Sequence, residues 1–70
     1  MFNGAKLKQL REKNGISKME LSRELGISDV MLYYIESGLR DPTTKVLYRA
    51  AKYFEVPIDS LFSDLKSEAI

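Results

Sequence analysis

The sequence predicts an all-α fold, and three of its features carry that prediction. Apolar residues recur at three- and four-residue spacings, helix-capping side chains precede each such stretch, and glycine or proline follows it. No run of alternating apolar and polar residues asks for a strand. Seventy residues, 44% hydrophobic and 30% charged with two prolines, have the composition of one folded domain. That length lies near the size at which a single core only just outweighs chain entropy.

The first helix, about 4–14, follows Asn3, a side chain suited to the N-cap. Leu7 and Leu10 share one face and lysines the other, and Asn14-Gly15 ends it. The second, about 18–25, opens at Ser17 with Glu20 three residues later, a capping box in which side chain and backbone satisfy each other's unpaired groups. Leu21 and Leu25 lie four apart on one face, and Gly26 stops the helix. Ser28 opens the third, about 29–37, with Asp29 near the positive end of the helix dipole. Leu32 and Ile35 point inward there, which turns Asp29, Val30, Tyr33 and Tyr34 elsewhere.

Gly38 ends the third helix, and 39–42 form a loop because Pro42 disfavours helical backbone at Asp41. A fourth helix, about 43–54 and capped by Thr43 or Asp41, places Val46, Leu47, Ala50, Ala51 and Phe54 on an inward stripe. After Glu55-Val56-Pro57, a short fifth helix, 58–63, carries Ile58, Leu61 and Phe62. The tail, 64–70, is weakly patterned and is expected to fray.

Composition removes several kinds of function. With no cysteine and no histidine, disulfides, zinc fingers, thiol chemistry and histidine general bases are excluded. No glycine loop suited to phosphate is present, and no spacing forces carboxylates together, so neither an enzyme nor a cofactor or metal is expected. Apolar runs are only a few residues long and no cleavable leader is visible, which points to a cytoplasmic protein with no membrane partner. So short a chain leaves no room for a separate ligand-sensing domain, and no small-molecule ligand is expected.

The net charge of +1 is unevenly spread. Residues 5–18 carry a net +4 and 42–54 a net +3, whereas 19–41 and 55–70 each carry −3. Such alternation suits a fold with one phosphate-friendly side, and it also fits ordinary scatter of surface charge.

Two short helices joined around a glycine are the geometric requirement for a helix-turn-helix, in which the first helix braces the second in a DNA groove. Lys18 to Ser37 meets it: Leu21, Leu25, Ile27, Leu32 and Ile35 are apolar, Ser22 is small where the helices cross, and Gly26 stands at the turn. The turn needs backbone that is costly for other residues.

On these residues the chain resembles the phage-repressor and Cro-like helix-turn-helix family, often called the XRE family. Leu10 to Ser17, Leu25-Gly26-Ile27-Ser28, Ile35-Glu36-Ser37-Gly38, Asp41-Pro42-Thr43, Ala51-Lys52 and Leu61-Phe62 match its motifs, so the resemblance covers nearly the whole chain. It implies a compact five-helix, lambda-repressor-like globule and an internal ion pair between Arg11 and Glu36. It also implies a DNA-facing surface made of the start of the second helix, the outward face of the third and the loop beyond.

Within that surface Lys18 stands where the family usually has glutamine; lysine reaches phosphate but does not orient a neighbour in the same way. Ser17, Ser28 and Ser37 suit phosphate contacts, and capping alone also accounts for the first two. Asp29, Val30, Met31, Tyr33 and Tyr34 would read the bases, and none is basic. Asp29 can accept from a cytosine amino group, and Val30 and Met31 can touch a thymine methyl. A Tyr33-Tyr34 pair suits base or phosphate contact, and suits a protein interface equally. Arg40, Lys45 and Lys6 supply charge toward the DNA backbone, against a default reading as solvated surface.

The reading these residues favour is a sequence-specific transcriptional regulator on double-stranded DNA with a palindromic operator. It binds as a homodimer that sets two third helices about 34 Å apart. Tyr53, Pro57, Ile58 and Phe62 are candidates for the dimer surface, or else they close the monomer core. The alternative function is a protein-binding module, antitoxin-like or regulatory, with weak or no DNA binding.

Overall fold

The computed structural model of the protein describes residues 1–62. It contains four α-helices, α1 (Gly4–Lys13), α2 (Lys18–Leu25), α3 (Asp29–Ser37) and α4 (Thr44–Phe54), followed by one 3-10 turn at Ile58–Leu61. The predicted fifth helix is therefore only that turn, and residue 63 and the tail, 64–70, lie outside the described residues. The cause is local. Pro57 enters the turn in extended backbone with no side-chain cap, and Phe62 leaves it extended to form an antiparallel bridge with Phe2. Helix growth from Leu61 would break that pairing.

Each α-helix starts on a polar cap. Asn3 accepts from the Lys6 amide at 3.1 Å, Ser17 from Glu20 at 3.1 Å, Ser28 from Met31 at 3.0 Å and Thr43 from Val46 at 3.2 Å. Thr43, and not Asp41, therefore caps α4. The Ser17 half of the predicted capping box is made; among the described residues no bond returns from the Glu20 side chain.

Each α-helix also ends in the same way, with two backbone bonds that wrap the last carbonyls. At α2 the Gly26 amide donates to the Arg23 carbonyl at 3.2 Å and the Ile27 amide to that of Ser22 at 3.0 Å, with Gly26 left-handed at φ 74°. Ile16, Ile27, Leu39 and Val56 occupy the position after the turning residue in the four helices, and all but Leu39 pack against the core.

α4 departs from the other three, because its turning residue is Glu55, at φ 56°. A side chain there bears a left-handed penalty that glycine escapes. Glu55→Gly is accordingly expected to stabilise the protein by about 0.5 kcal/mol, the relief of that penalty less the extra freedom glycine has when unfolded. A thermal melt reads the result, and a lower Tm would contradict it.

The core is formed by Leu7 of α1, Leu21 and Leu25 of α2, Leu32 and Ile35 of α3, Val46, Ala50 and Ala51 of α4, and Leu61. Fully burying one such leucine contributes about 1.5–3 kcal/mol, which is large beside the few kcal/mol of net stability of a chain of this size. The N-terminal segment closes one side: the Asn3 amide donates to the Leu61 carbonyl at 2.8 Å, and the Phe2 and Phe62 rings meet edge to face at 6.1 Å. Among the described residues no helix is long and apolar enough to cross a membrane.

Candidate nucleic-acid interface

The site is built from the first turns of α2 and α3 and the outer face of α3. Leu32, Ile35 and Glu36 are buried, so the helical period turns Asp29, Val30, Tyr33 and Tyr34 outward; all four are exposed, Val30 by 59% and Tyr33 by 51%. With Lys18 of α2 these four line one shallow groove with mostly apolar walls. The Lys18 ammonium lies 5.3 Å from the centre of the Tyr33 ring, a cation–π contact, and the Tyr33 and Tyr34 rings are 5.9 Å apart. Lys18 is thus attached to the α3 face through an aromatic ring.

Two hydroxyls are compatible with both roles considered for them. Ser17 and Ser28 use their oxygens to accept backbone amides, which leaves each hydroxyl proton free to donate outward. A cap and a phosphate donor are therefore not exclusive here. The Ser37 hydroxyl instead donates to the Tyr34 carbonyl at 3.2 Å, within its own helix.

Met31 does not lie with the outward set. It is half-buried and packs against the core, because it falls between the buried and exposed stripes of α3. One Asp29 oxygen is likewise occupied, accepting from the Ser22 hydroxyl at 2.6 Å. Arg40 and Lys45 are exposed, on the loop after α3 and in the first turn of α4, and Lys6 is half-buried.

Behind this face, Arg11 donates to both Glu36 oxygens, at 2.8 and 3.1 Å, and to the Ile16 carbonyl at 3.1 Å. Both side chains are buried. Hydrogen bonding to Glu36, and then its charge, raises the Arg11 pKa above its ordinary value, against the opposing effect of burial. The pair ties α1 to the end of α3 and leaves the outer face of α3 free.

Three contributors were not visible in the sequence. Arg49 of α4 donates to the Leu25 carbonyl at 3.2 Å and lies where a Cβ on Gly26 would meet it at 2.5 Å. Gly4 is buried against the last turn of α3. Ser22, read for its size, also supplies a hydroxyl. Arg49 and Gly4 depend on residues more than 20 positions away, and local pattern does not carry such information.

Among the candidates for self-association, Tyr53 and Ile58 are exposed by 37% and 38%, and Pro57 is exposed. Phe62 is half-buried and engages Phe2 within the chain.

A short brace helix, a three-residue turn at 26–28 and a second helix with its outer face free define a helix-turn-helix domain. The chain belongs to the HTH_3 helix-turn-helix family, whose model matches residues 7–61. It is 35% identical over 57 residues to an uncharacterised HTH-type transcriptional regulator of Methanocaldococcus jannaschii, covering 81% of this chain and 86% of that one. Its fold is similar to that of SinR, a master regulator for biofilm formation solved in complex with DNA (TM-score 0.74, 29% identity, 83% of this chain and 94% of that one). It also resembles that of the P22 c2 repressor solved with a synthetic operator (TM-score 0.82, 22% identity, 90% and 96%). The resemblance to phage repressors inferred from the motifs is thus borne out.

Proposed function

We propose that the protein is a sequence-specific regulator that binds duplex DNA as a homodimer, with α3 in the major groove. One observation carries the reading: Asp29, Val30, Tyr33 and Tyr34 stand outward on α3 while Leu32, Ile35 and Glu36 anchor it from behind. The solved DNA complexes of SinR and the P22 c2 repressor support it. Lys18, Arg40, Lys45 and the serine hydroxyls at the two helix starts serve the phosphates, and Ser37 contributes only if it leaves its Tyr34 bond. Exposed Tyr53, Pro57 and Ile58 offer an apolar contact between two copies. The two α3 helices then enter successive grooves about 34 Å apart on a palindromic operator.

The readout is largely apolar. Val30 matches a thymine methyl in shape and chemistry, Met31 is withdrawn from the role predicted for it, and Asp29 accepts from a base amino group through the oxygen that Ser22 leaves free.

Titration of the protein onto duplexes from around its own gene at stepped salt concentrations tests this. Binding is expected to weaken steeply as salt rises, through release of counterions from phosphate. Val30→Ala is expected to weaken the footprinted site about fivefold, roughly 1 kcal/mol of lost apolar contact. Exchanging the contacted thymine for deoxyuridine, which removes only the methyl, should reproduce that loss, and Tyr34→Ala should weaken binding as well. Negligible affinity for every duplex in dilute buffer would favour the protein-binding reading, which the exposed Tyr33 and Tyr34 on α3 also suit.

A further inference from the structure

We propose that Ser22, which is buried and does not reach DNA, sets the base preference at one position of the bound site by holding the Asp29 carboxylate. The inference rests on the reading that α3 enters the major groove. Ser22 is only 3% exposed, and its Oγ lies 2.6 Å from Asp29 Oδ1 and 3.0 Å from the Met19 carbonyl oxygen. The hydroxyl has one proton and both neighbours are acceptors, so the shorter, charge-assisted bond to the carboxylate takes it.

The bond spans the two helices of the motif, from the middle of α2 to the first residue of α3. An exposed aspartate in a first helical turn would otherwise be free to change rotamer. With Oδ1 fastened to α2, the carboxylate is held in place and Oδ2 is left to meet the groove. An ionised carboxylate only accepts, so the base it faces must present an amino group, as cytosine and adenine do. Guanine and thymine turn acceptors toward the major groove and are repelled. Ser22 therefore converts a mobile acidic side chain into a fixed acceptor.

Size alone makes a different prediction. Were Ser22 present only because the helices cross closely, alanine, which is smaller, would serve equally well and leave DNA recognition intact.

The test is a cycle of four proteins: wild type, Ser22→Ala, Asp29→Ala and the double variant. The operator is first defined by selecting random duplexes with the wild-type protein, and each base pair of it is then varied. Wild type is expected to discriminate about tenfold at one base pair that loses its preference in Asp29→Ala. Ser22→Ala should stay cooperatively folded and keep its affinity for non-specific duplex, while discrimination at that same base pair falls to about twofold. The double variant should lose no more than Asp29→Ala alone.

Full discrimination in Ser22→Ala would overturn the proposal, and so would a further loss when Ser22 is changed in the Asp29→Ala background. A base preference indifferent to Asp29→Ala would do the same. Failure of the wild-type protein to select any duplex would instead overturn the DNA-binding reading itself, and the two failures are thereby told apart.

Discussion

Glu36→Ala is expected to destabilise the protein by about 3–5 kcal/mol, because it leaves the Arg11 guanidinium buried without its partner. Among the described residues Arg11 keeps only its bond to the Ile16 carbonyl, and its two bonds to the carboxylate are lost together. For a chain of this size total stability is only about 4–10 kcal/mol, and each kcal/mol moves the Tm by about 4–8 °C. A fall in Tm of about 15 °C or more is expected, read by circular dichroism.

Removing both charges should cost far less. In Arg11→Met with Glu36→Leu no ion is stranded, and apolar side chains of similar size replace the pair. The remaining loss is about 1–3 kcal/mol, chiefly the Ile16 carbonyl left without its donor. Equal instability in the single and double variants would show that the pair's geometry, and not a stranded charge, supports the fold.

The helices were legible because their signals are local. Asn3, Ser17, Ser28 and Thr43 each cap the helix they precede, and Leu21, Leu25, Leu32 and Ile35 fall on the buried faces that their spacing indicates. The end of the chain was not legible in the same way. Ile58, Leu61 and Phe62 have helical spacing, but Phe62 is drawn into extended backbone by Phe2, 60 positions away in sequence. Spacing cannot announce a partner at the other terminus.

The outward face of α3 followed from the same period, since burying Leu32 and Ile35 leaves little choice for Val30 and Tyr33. Its details did not follow. Met31 lies at the margin of the two stripes, where a rotation of some tens of degrees decides between core and solvent, and packing chose the core. The Ser22 bond to Asp29 depends on the angle at which two helices cross, a quantity set by the side chains of both.

Gly4→Ala is expected to be the other severe change, against the ordinary order of helix propensity. Alanine is favoured over glycine inside a helix by about 1 kcal/mol, and Gly4 is the first residue of α1. Here a Cβ would enter the Ile35 carbonyl oxygen and stand 2.8 Å from that of Glu36. Both are backbone atoms in the last turn of α3, and no rotamer change can move them away. The helices must separate, and overpacking of this kind costs about 1–3 kcal/mol, more where backbone has to shift. The displacement falls at Glu36 itself, so the Arg11 bonds lengthen with it and the loss should reach about 2–4 kcal/mol. Ala5→Gly, one residue along and exposed, supplies the control: there glycine should destabilise, by up to about 1 kcal/mol. The two neighbouring exchanges thus carry opposite signs for glycine against alanine, and paired thermal melts read both. A Gly4→Ala protein as stable as the wild type would mean that α1 does not rest on the α3 backbone, and the support assigned to the recognition helix from behind would fall with it.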